Sequence, residues 1–252
     1  MQTQAAARLG AAGVEARRFG WMKLLALGAA ISAIGPVLPM IAEGFEPFLA
    51  MLIAPILVGL VLLRFARKVG IVWLGVVSLA LLVMNAPFTV DALMHPESPA
   101  DFVPITMLSV GGLLAVIATV PAFRQARGHQ SDSAFPKAAA VTGVALVVAA
   151  IGGSLVAKGM VTSDAPAAGS LVVDMENFEF GPGTITAESG EVSVYLTNND
   201  SARHTFTVDE LGVDESIAPG QSKQITFDAE AGTFRFYCKP HDPGMEGELT
   251  VR

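Results

Sequence analysis

The chain has 252 residues, of which 52% are hydrophobic and only 15% are charged, and its formal net charge is −7. This composition is too apolar for an ordinary soluble globular protein and indicates membrane-spanning segments. The single cysteine excludes an internal disulfide, so in an extracytoplasmic domain it would be buried, reactive or bound to a metal.

Five apolar blocks lie before residue 160. Each has about 18 to 22 residues, enough to cross the roughly 30 Å of bilayer hydrocarbon as a helix. Their interiors carry almost no charge. Pro36, Pro39 and Pro55 lie within two of the blocks, and membrane helices tolerate proline at such positions. We therefore predict an all-α bundle of five transmembrane helices within residues 1–160. The predicted helices cover residues 21–42, 47–65, 70–88, 102–123 and 138–157.

The charges between these blocks alternate in sign along the chain. Basic residues lie before or at the start of the first block and at or after the ends of the second and the fourth: Arg8, Arg17, Arg18, Lys23; Arg64, Arg67, Lys68; Arg124, Arg127 and Lys137. Acidic residues follow the first and the third: Glu43, Glu46; Asp91, Glu97 and Asp101. Because basic loops of membrane proteins stay in the cytoplasm, this pattern predicts a multi-pass cell-membrane protein with a cytoplasmic N-terminus. Everything after the fifth helix is then extracytoplasmic.

The fifth block admits a second interpretation, since Lys137 precedes it and small residues follow it, as in a signal peptide whose cleavage would release the rest of the chain. Four preceding spans favour an uncleaved helix. Residues 161–169 are small, polar and Pro-containing, which predicts an exposed linker. The predicted helices contain no paired histidines for a haem and no buried charges that would mark an ion path, so we expect them to serve as an anchor.

Residues 170–252 contain short runs of alternating apolar and polar residues, separated by Gly, Pro, Asn and Asp. Such runs indicate strands, and seven of them predict an all-β, antiparallel Greek-key sandwich. The runs are SLVVDME, TITAE, EVSVYLTN, HTFTVDE, KQITFDA, TFRFYCK and GELTVR. Residues 165–252 carry 15 acidic and 5 basic residues, a net charge of −10 with histidine neutral. This charge argues against nucleic acid and suggests a basic protein partner, with solubility alone as the alternative explanation.

The stretch FYCKPHDPGMEG contains the only cysteine, Cys238, followed by His241 and Met245 in the loop after its strand. A thiolate, an imidazole and a thioether in one loop suit copper better than zinc, calcium or magnesium. Such a site needs a second histidine. Two of the four histidines belong to membrane loops, which leaves His204 at the start of an earlier strand. Two imidazoles and a thiolate form a trigonal plane for copper, and a long bond to methionine completes the site.

At these residues the C-terminal third of the chain resembles the cupredoxins, the blue (type 1) copper proteins of the plastocyanin kind. The resemblance rests on NNDSARH, APGQSKQITF, GTFRFYCKPH and GMEGELTV. It implies a cupredoxin-like sandwich, one type 1 copper ion, and His204, Cys238, His241 and Met245 as its ligands. Two features depart from plastocyanin. The loop reads C-x2-H-x3-M, one residue shorter between His and Met, and Thr205 follows the first ligand in place of Asn.

A type 1 site leaves no open position for a substrate, so the predicted function is single-electron transfer by a membrane-tethered protein that is not an enzyme. The resemblance implies that electrons pass through the exposed edge of His241, which lies between Pro240 and Pro243, to a redox partner protein docked on a small apolar patch. Asn199 and Thr205 are the candidates for residues that support the ligands.

The alternative hypothesis is extracytoplasmic copper binding, delivery or sensing without redox turnover. Delivery sites use open, methionine-rich surfaces, whereas the C-terminal domain has only Met175 besides Met245, which favours electron transfer. Met94 and His95 in an outer loop could help to load copper. The sequence offers no Ser/His/Asp set or carboxylate pair for an enzyme, and no second cysteine for a dinuclear copper centre.

Overall fold

The computed structural model describes residues 19–43, 47–129 and 133–252. The loop charges that lie outside the described residues are Arg8, Arg17, Arg18 and Glu46. Contacts divide the chain into two compact units. We call them the helical unit, Met1–Val90 with Pro104–Ala149, and the β unit, Asp91–Val103 with Ala150–Arg252. The short segment Asp91–Val103 therefore belongs to the same unit as the C-terminal domain.

The described part of the chain contains six α-helices. They are α1 (Trp21–Glu43), α2 (Pro47–Phe65), α3 (Arg67–Met84), α4 (Ala86–Met94), α5 (Pro99–Ala126) and α6 (Phe135–Gly159). All but α4 are long and apolar enough to cross a membrane, which gives five candidate spans among the described residues. These helices confirm the predicted fold class of the N-terminal region. The additional helix, α4, has only 9 residues and runs from the end of the third predicted helix into the predicted outer loop that follows.

Close packing in the helical unit depends on glycine. A Cβ atom on Gly28 of α1 would stand 2.6 Å from the carbonyl oxygen of Gly111 in α5, and a Cβ atom on Gly111 would stand 2.5 Å from the carbonyl oxygen of Gly28. Beside this crossing, the hydroxyl of Ser32 donates to the carbonyl of Leu108 at 3.0 Å. Small residues let membrane helices approach closely, and packing then supplies the attraction that lipid does not. The two helices therefore form a specific contact.

The β unit contains nine strands in two sheets. The strands are β1 (Leu171–Glu176), β2 (Glu179–Gly181), β3 (Thr184–Ala187), β4 (Gly190–Asn198), β5 (His204–Val208), β6 (Val213–Ile217), β7 (Ser222–Ala229), β8 (Gly232–Tyr237) and β9 (Glu246–Val251). One sheet has the order β2-β1-β4-β7 and the other β3-β9-β8-β5-β6. In the shared core, the rings of Phe206 and Phe236 stack at 5.0 Å, and Phe180 meets Phe236 edge-on at 5.0 Å. The predicted β-sandwich is confirmed.

The strand pairing differs from the prediction in two respects. First, β1 pairs with β4 and β3 pairs with β9 in parallel, so the sheets are mixed and not purely antiparallel. Parallel neighbours require a crossover connection, and here the chain enters the other sheet at β3 between β1 and β4. Second, β2 and β6 were not predicted. β2 has only 3 residues, and β6 reads VDESI, in which adjacent acidic residues break the alternating pattern.

The predicted linker, residues 161–169, runs beside β7. Asp164 donates its backbone N–H to the carbonyl of Ser222 at 2.9 Å, and its carboxylate accepts the N–H of Gln224 at 3.0 Å. The hydroxyl oxygen of Ser163 accepts the N–H of Ser222 at 3.0 Å. Since β7 lies at the edge of its sheet, these bonds satisfy backbone groups that could otherwise pair with another chain. The linker is exposed, as predicted, but it is bound to the sandwich.

Candidate metal centre

The four predicted ligands lie at or next to the ends of neighbouring strands of one sheet. His204 is the first residue of β5, and Cys238 follows the last residue of β8, with which β5 pairs. His241 ends a short 3-10 helix after Cys238, and Met245 directly precedes β9. His204 and Cys238 are fully buried, and Met245 is 1% exposed. The fold therefore shields these side chains from water.

The distances between the side chains are short. His204 Nδ1 lies 3.6 Å from Cys238 Sγ and 3.2 Å from His241 Nδ1. His241 Nδ1 lies 3.3 Å from the same sulfur. The three atoms all lie within 4.8 Å of one another, and they form the group of potential metal ligands found among the described residues. Two imidazole nitrogens and one sulfur are thus positioned to share a single ion.

Backbone hydrogen bonds close the loop from Cys238 to Met245. Cys238 donates its N–H to the carbonyl of Met245 at 3.0 Å. His241 donates to the carbonyl of Cys238 at 3.0 Å, and Met245 donates to the carbonyl of His241 at 3.1 Å. These bonds hold Met245 next to Cys238. The shortened C-x2-H-x3-M spacing is therefore compatible with a closed, well-bonded loop.

Thr205 connects the strand of one predicted ligand to the loop of the others. Its N–H donates to Cys238 Sγ at 3.3 Å, and its hydroxyl oxygen accepts the N–H of Lys239 at 2.9 Å. It also contacts the hydroxyl of Thr207 at 3.1 Å. These contacts support the role predicted for Thr205, because it holds the sulfur and the start of the loop against β5.

Comparison with known proteins identifies the family of this domain. A family model described as a cupredoxin-like domain matches residues 143–251. The plastocyanin of Rumex obtusifolius is 38% identical over 88 residues, which cover 29% of this chain and 87% of that protein. The chain belongs to the cupredoxin family. The chloroplastic plastocyanin of Chlamydomonas reinhardtii is 31% identical to this cupredoxin over 135 residues, which cover 48% of this chain and 92% of that protein.

Solved structures are similar to the cupredoxin domain as well. A mutant of oxidised amicyanin is 22% identical, with a TM-score of 0.32, and the match covers 36% of this chain and 90% of that chain. Copper binding and electron transport are the properties of this family, and the donor atoms fit them. Two imidazoles and a thiolate in a trigonal arrangement, with a weak methionine ligand, are the ligand set of blue copper.

The asparagine-rich turn before His204 contacts this predicted ligand through Asp200, which was not among the predicted supporting residues. Asn199, one of the two predicted supporting residues, is exposed, and its backbone N–H donates to the carbonyl of Met175 in β1. Its neighbour Asn198 is buried and donates its amide to two backbone carbonyls. The carboxylate of Asp200 lies 2.8 Å from His204 Nε2. An acidic residue four positions before a predicted ligand was the signal that could have identified it.

Burial governs the ionisation of the predicted ligands in the metal-free cupredoxin. It lowers the pKa of His204, against the opposing effect of Asp200, and it lowers the pKa of His241 to about 4, an effect to which the nearby His204 adds. Burial also raises the pKa of the Cys238 thiol. At neutral pH both imidazoles therefore keep a lone pair for a metal, whereas the thiol must release its proton when a metal binds.

Arg203, which precedes His204, is a nearly buried charge in the β unit. Its side chain is 6% exposed, and its guanidinium pairs with the carboxylate of Asp91. Its backbone N–H donates to the carboxylate of Asp101 at 2.9 Å. Both acidic residues come from the segment Asp91–Val103 of the same unit. A buried charge requires a partner of opposite charge. The segment Asp91–Val103 therefore packs next to the start of β5, a contact that the sequence did not indicate.

The ring of His241 is half-buried, and Phe178 lies against it. The ring centroids of Phe178 and His241 are 4.8 Å apart and those of Phe178 and His204 are 5.5 Å apart, both edge-on. Phe178 itself is half-buried, and Pro240 and Pro243 are exposed. The predicted exit edge of this cupredoxin is therefore lined by an aromatic ring as well as by the two prolines.

Proposed function

We propose that this protein is a membrane-tethered blue copper protein that carries single electrons on the extracytoplasmic side of the cell membrane. It holds one type 1 copper ion with His204, Cys238, His241 and Met245. The observation that carries the proposal is the convergence of two Nδ1 atoms and one thiol sulfur within 4.8 Å in the buried end of a cupredoxin domain. Family membership supports the choice of copper and of electron transfer.

The chain's own contribution to this function is to hold the ligand side chains in fixed positions. Bound copper supplies a one-electron couple between its singly and doubly charged states. Burial of Cys238 and Met245 keeps these two side chains away from water. The N–H of Thr205 and the backbone bonds of the loop hold the sulfur and the His241 ring in place before a metal binds. Because the ligands are positioned in advance, a change in charge requires little movement. This closed site is the reason that we propose no enzymatic activity.

We propose that electrons enter and leave through His241. Its ring is the more exposed of the two imidazoles, since His204 is fully buried. A partner that covers Phe178, Pro240 and Pro243 would approach the ring edge through apolar contacts. The surrounding domain has a net charge of −10, and a basic redox partner would therefore be attracted over a distance and oriented on approach.

The five candidate spans provide the proposed tether. The alternation of basic and acidic loops supports a cytoplasmic N-terminus and an extracytoplasmic cupredoxin domain. We propose that the helical unit acts as an anchor and docking platform for this domain.

Copper binding, delivery or sensing without turnover is the second candidate function. It would be favoured by ligands on an open surface, but Met175 is fully buried in the core of the sandwich and cannot contribute to one. In the outer segment, His95 Nδ1 lies 2.9 Å from Glu97 and Met94 is exposed. The buried Cys–His–His group favours retention of the ion, and with it electron transfer.

The test uses the full chain purified in detergent and titrated with Cu(II). We expect one copper per chain and an intense visible band from thiolate-to-copper charge transfer, which ascorbate bleaches and an oxidant restores. Cys238→Ser should abolish the band, because no other thiol exists in the chain. His95→Ala, which removes a histidine outside the centre, should retain it. A colourless wild-type protein, or copper binding that is unchanged by Cys238→Ser, would contradict the electron carrier and favour copper handling.

A further inference from the structure

The carboxylate of Asp200 joins a turn of the sandwich to the predicted ligand His204. Its Oδ2 accepts the Nε2–H of His204 at 2.8 Å and the backbone N–H of Phe178 at 3.0 Å. Its Oδ1 accepts the backbone N–H of Asn177 at 2.8 Å. The N–H of Asp200 in turn donates to the side-chain oxygen of the buried Asn198 at 2.9 Å. The carboxylate is 12% exposed and is held from several directions.

This contact decides which nitrogen of His204 carries the proton. An ionised carboxylate can only accept hydrogen bonds, so Nε2 must be the protonated nitrogen. Nδ1, which faces Cys238 Sγ at 3.6 Å, then keeps its lone pair for a metal. The other imidazole differs. In the described part of the chain no carboxylate bonds the ring of His241, and the adjacent Asp242 pairs with Arg235 instead.

We propose that Asp200 is a positioning residue of the metal centre, which fixes His204 in its metal-binding tautomer and favours the doubly charged over the singly charged copper ion. The second part rests on the proposed function, whereas the first part requires no metal. A carboxylate behind a ligating histidine orients the ring and makes it a stronger base. A negative charge one imidazole away also stabilises the more positive ion more strongly.

Asp200→Asn tests the charge at nearly constant size. The amide can donate as well as accept, so it no longer selects one tautomer. Loss of such a partner typically weakens metal binding by about 10- to 100-fold. If the substitution weakens the binding of Cu(II) but not that of Cu(I), the reduction potential of the copper-loaded full chain rises. The rise is about 59 mV for each tenfold loss of affinity for Cu(II). Asp242→Asn is the matched control, because it removes the carboxylate next to the other ligand and should shift the potential less.

Nitrogen NMR of the metal-free full chain, labelled at histidine, reports the tautomer directly. We expect His204 to carry its proton on Nε2 in the wild type and to show a mixture of tautomers in Asp200→Asn. A wild-type proton on Nδ1 would overturn the proposal without any variant. An equal rise in potential for Asp200→Asn and Asp242→Asn would mean that any nearby negative charge has the same effect. That result would also overturn the proposal.

The outcomes separate this inference from the proposed function. A wild-type chain that shows the Nε2–H tautomer but forms no blue copper centre would contradict only the electron carrier. A blue copper centre whose potential and tautomer are the same in the wild type and Asp200→Asn would contradict only the role of Asp200. If Asp200→Asn fails to fold, Asp200→Ser removes the carboxylate but keeps a small polar side chain for the turn, and a wild-type potential and tautomer distribution in that variant would contradict the positioning role.

Discussion

At the scale of single residues, the predicted metal centre depends on short polar contacts between segments that are distant in sequence. Thr205 lies on β5, whereas Cys238 and Lys239 follow β8, and two hydrogen bonds from the one threonine reach both of them. Thr205 is 5% exposed, so its hydroxyl is almost completely shielded from water. A bond of this kind contributes modestly when it is present, but a buried group left without a partner is costly.

Thr205→Val should therefore loosen the start of the ligand loop. The substitution keeps the shape but removes the acceptor of the Lys239 N–H, at a cost of about 1–3 kcal/mol. Amide hydrogen exchange of Lys239 in the full chain should accelerate at least fivefold, since about 1.4 kcal/mol corresponds to a factor of ten. Thr226→Val, on the exposed side of β7, is the control and should leave this rate unchanged. Wild-type exchange at Lys239 in Thr205→Val would show that the hydroxyl does not protect the loop.

At the scale of secondary-structure elements, the edges of the two sheets determine much of what the sequence could not show. The linker was predicted from composition as a tether, but its side chains and backbone pair with β7. Tyr195 of β4 also donates its hydroxyl to the carbonyl of Asp164 at 3.1 Å. An edge strand covered in this way is protected from pairing with another chain. The linker is thus a structural part of the sandwich.

Replacement of residues 162–167 by six glycines, which removes the side chains of Ser163 and Asp164, should expose this edge. The amides of Ser222 and Gln224, which donate to Ser163 and Asp164, should exchange with solvent much faster than in the wild type. The amide of Ile225 points the other way by strand alternation, toward β4, and should remain protected. Hydrogen exchange of the full chain measures all three at once. Equal protection of Ser222 and Gln224 in both proteins would mean that the linker does not cover β7.

At the scale of the whole molecule, the features that could be predicted are those with a local signature in the chain. Apolar length predicted five candidate spans, and alternation predicted the sandwich. Soft donors at short spacing predicted that Cys238 and His241 lie side by side, and Sγ and Nδ1 are 3.3 Å apart. Asp200 and Arg203 escaped prediction because their importance arises only from folding. An acidic residue in a polar turn and a lone arginine are ordinary in sequence, and their partners are set by tertiary structure. The parallel pairs escaped for the same reason, since strand order is not a local property.

The orientation of the chain in the membrane is a prediction at the same scale, because it depends on the sum of many loop charges. The basic residues between α5 and α6, Arg124, Arg127 and Lys137, favour the cytoplasm, and one further crossing by α6 would then place the β unit outside. A protease-sensitive tag after Arg252 should therefore be cleaved in right-side-out vesicles and protected in inverted ones. The same tag inserted after Gly128, in the exposed turn that follows α5, should show the opposite pattern. Cleavage of both tags from the same side would contradict an odd number of crossings between them, and reversed cleavage of both would place the cupredoxin domain in the cytoplasm.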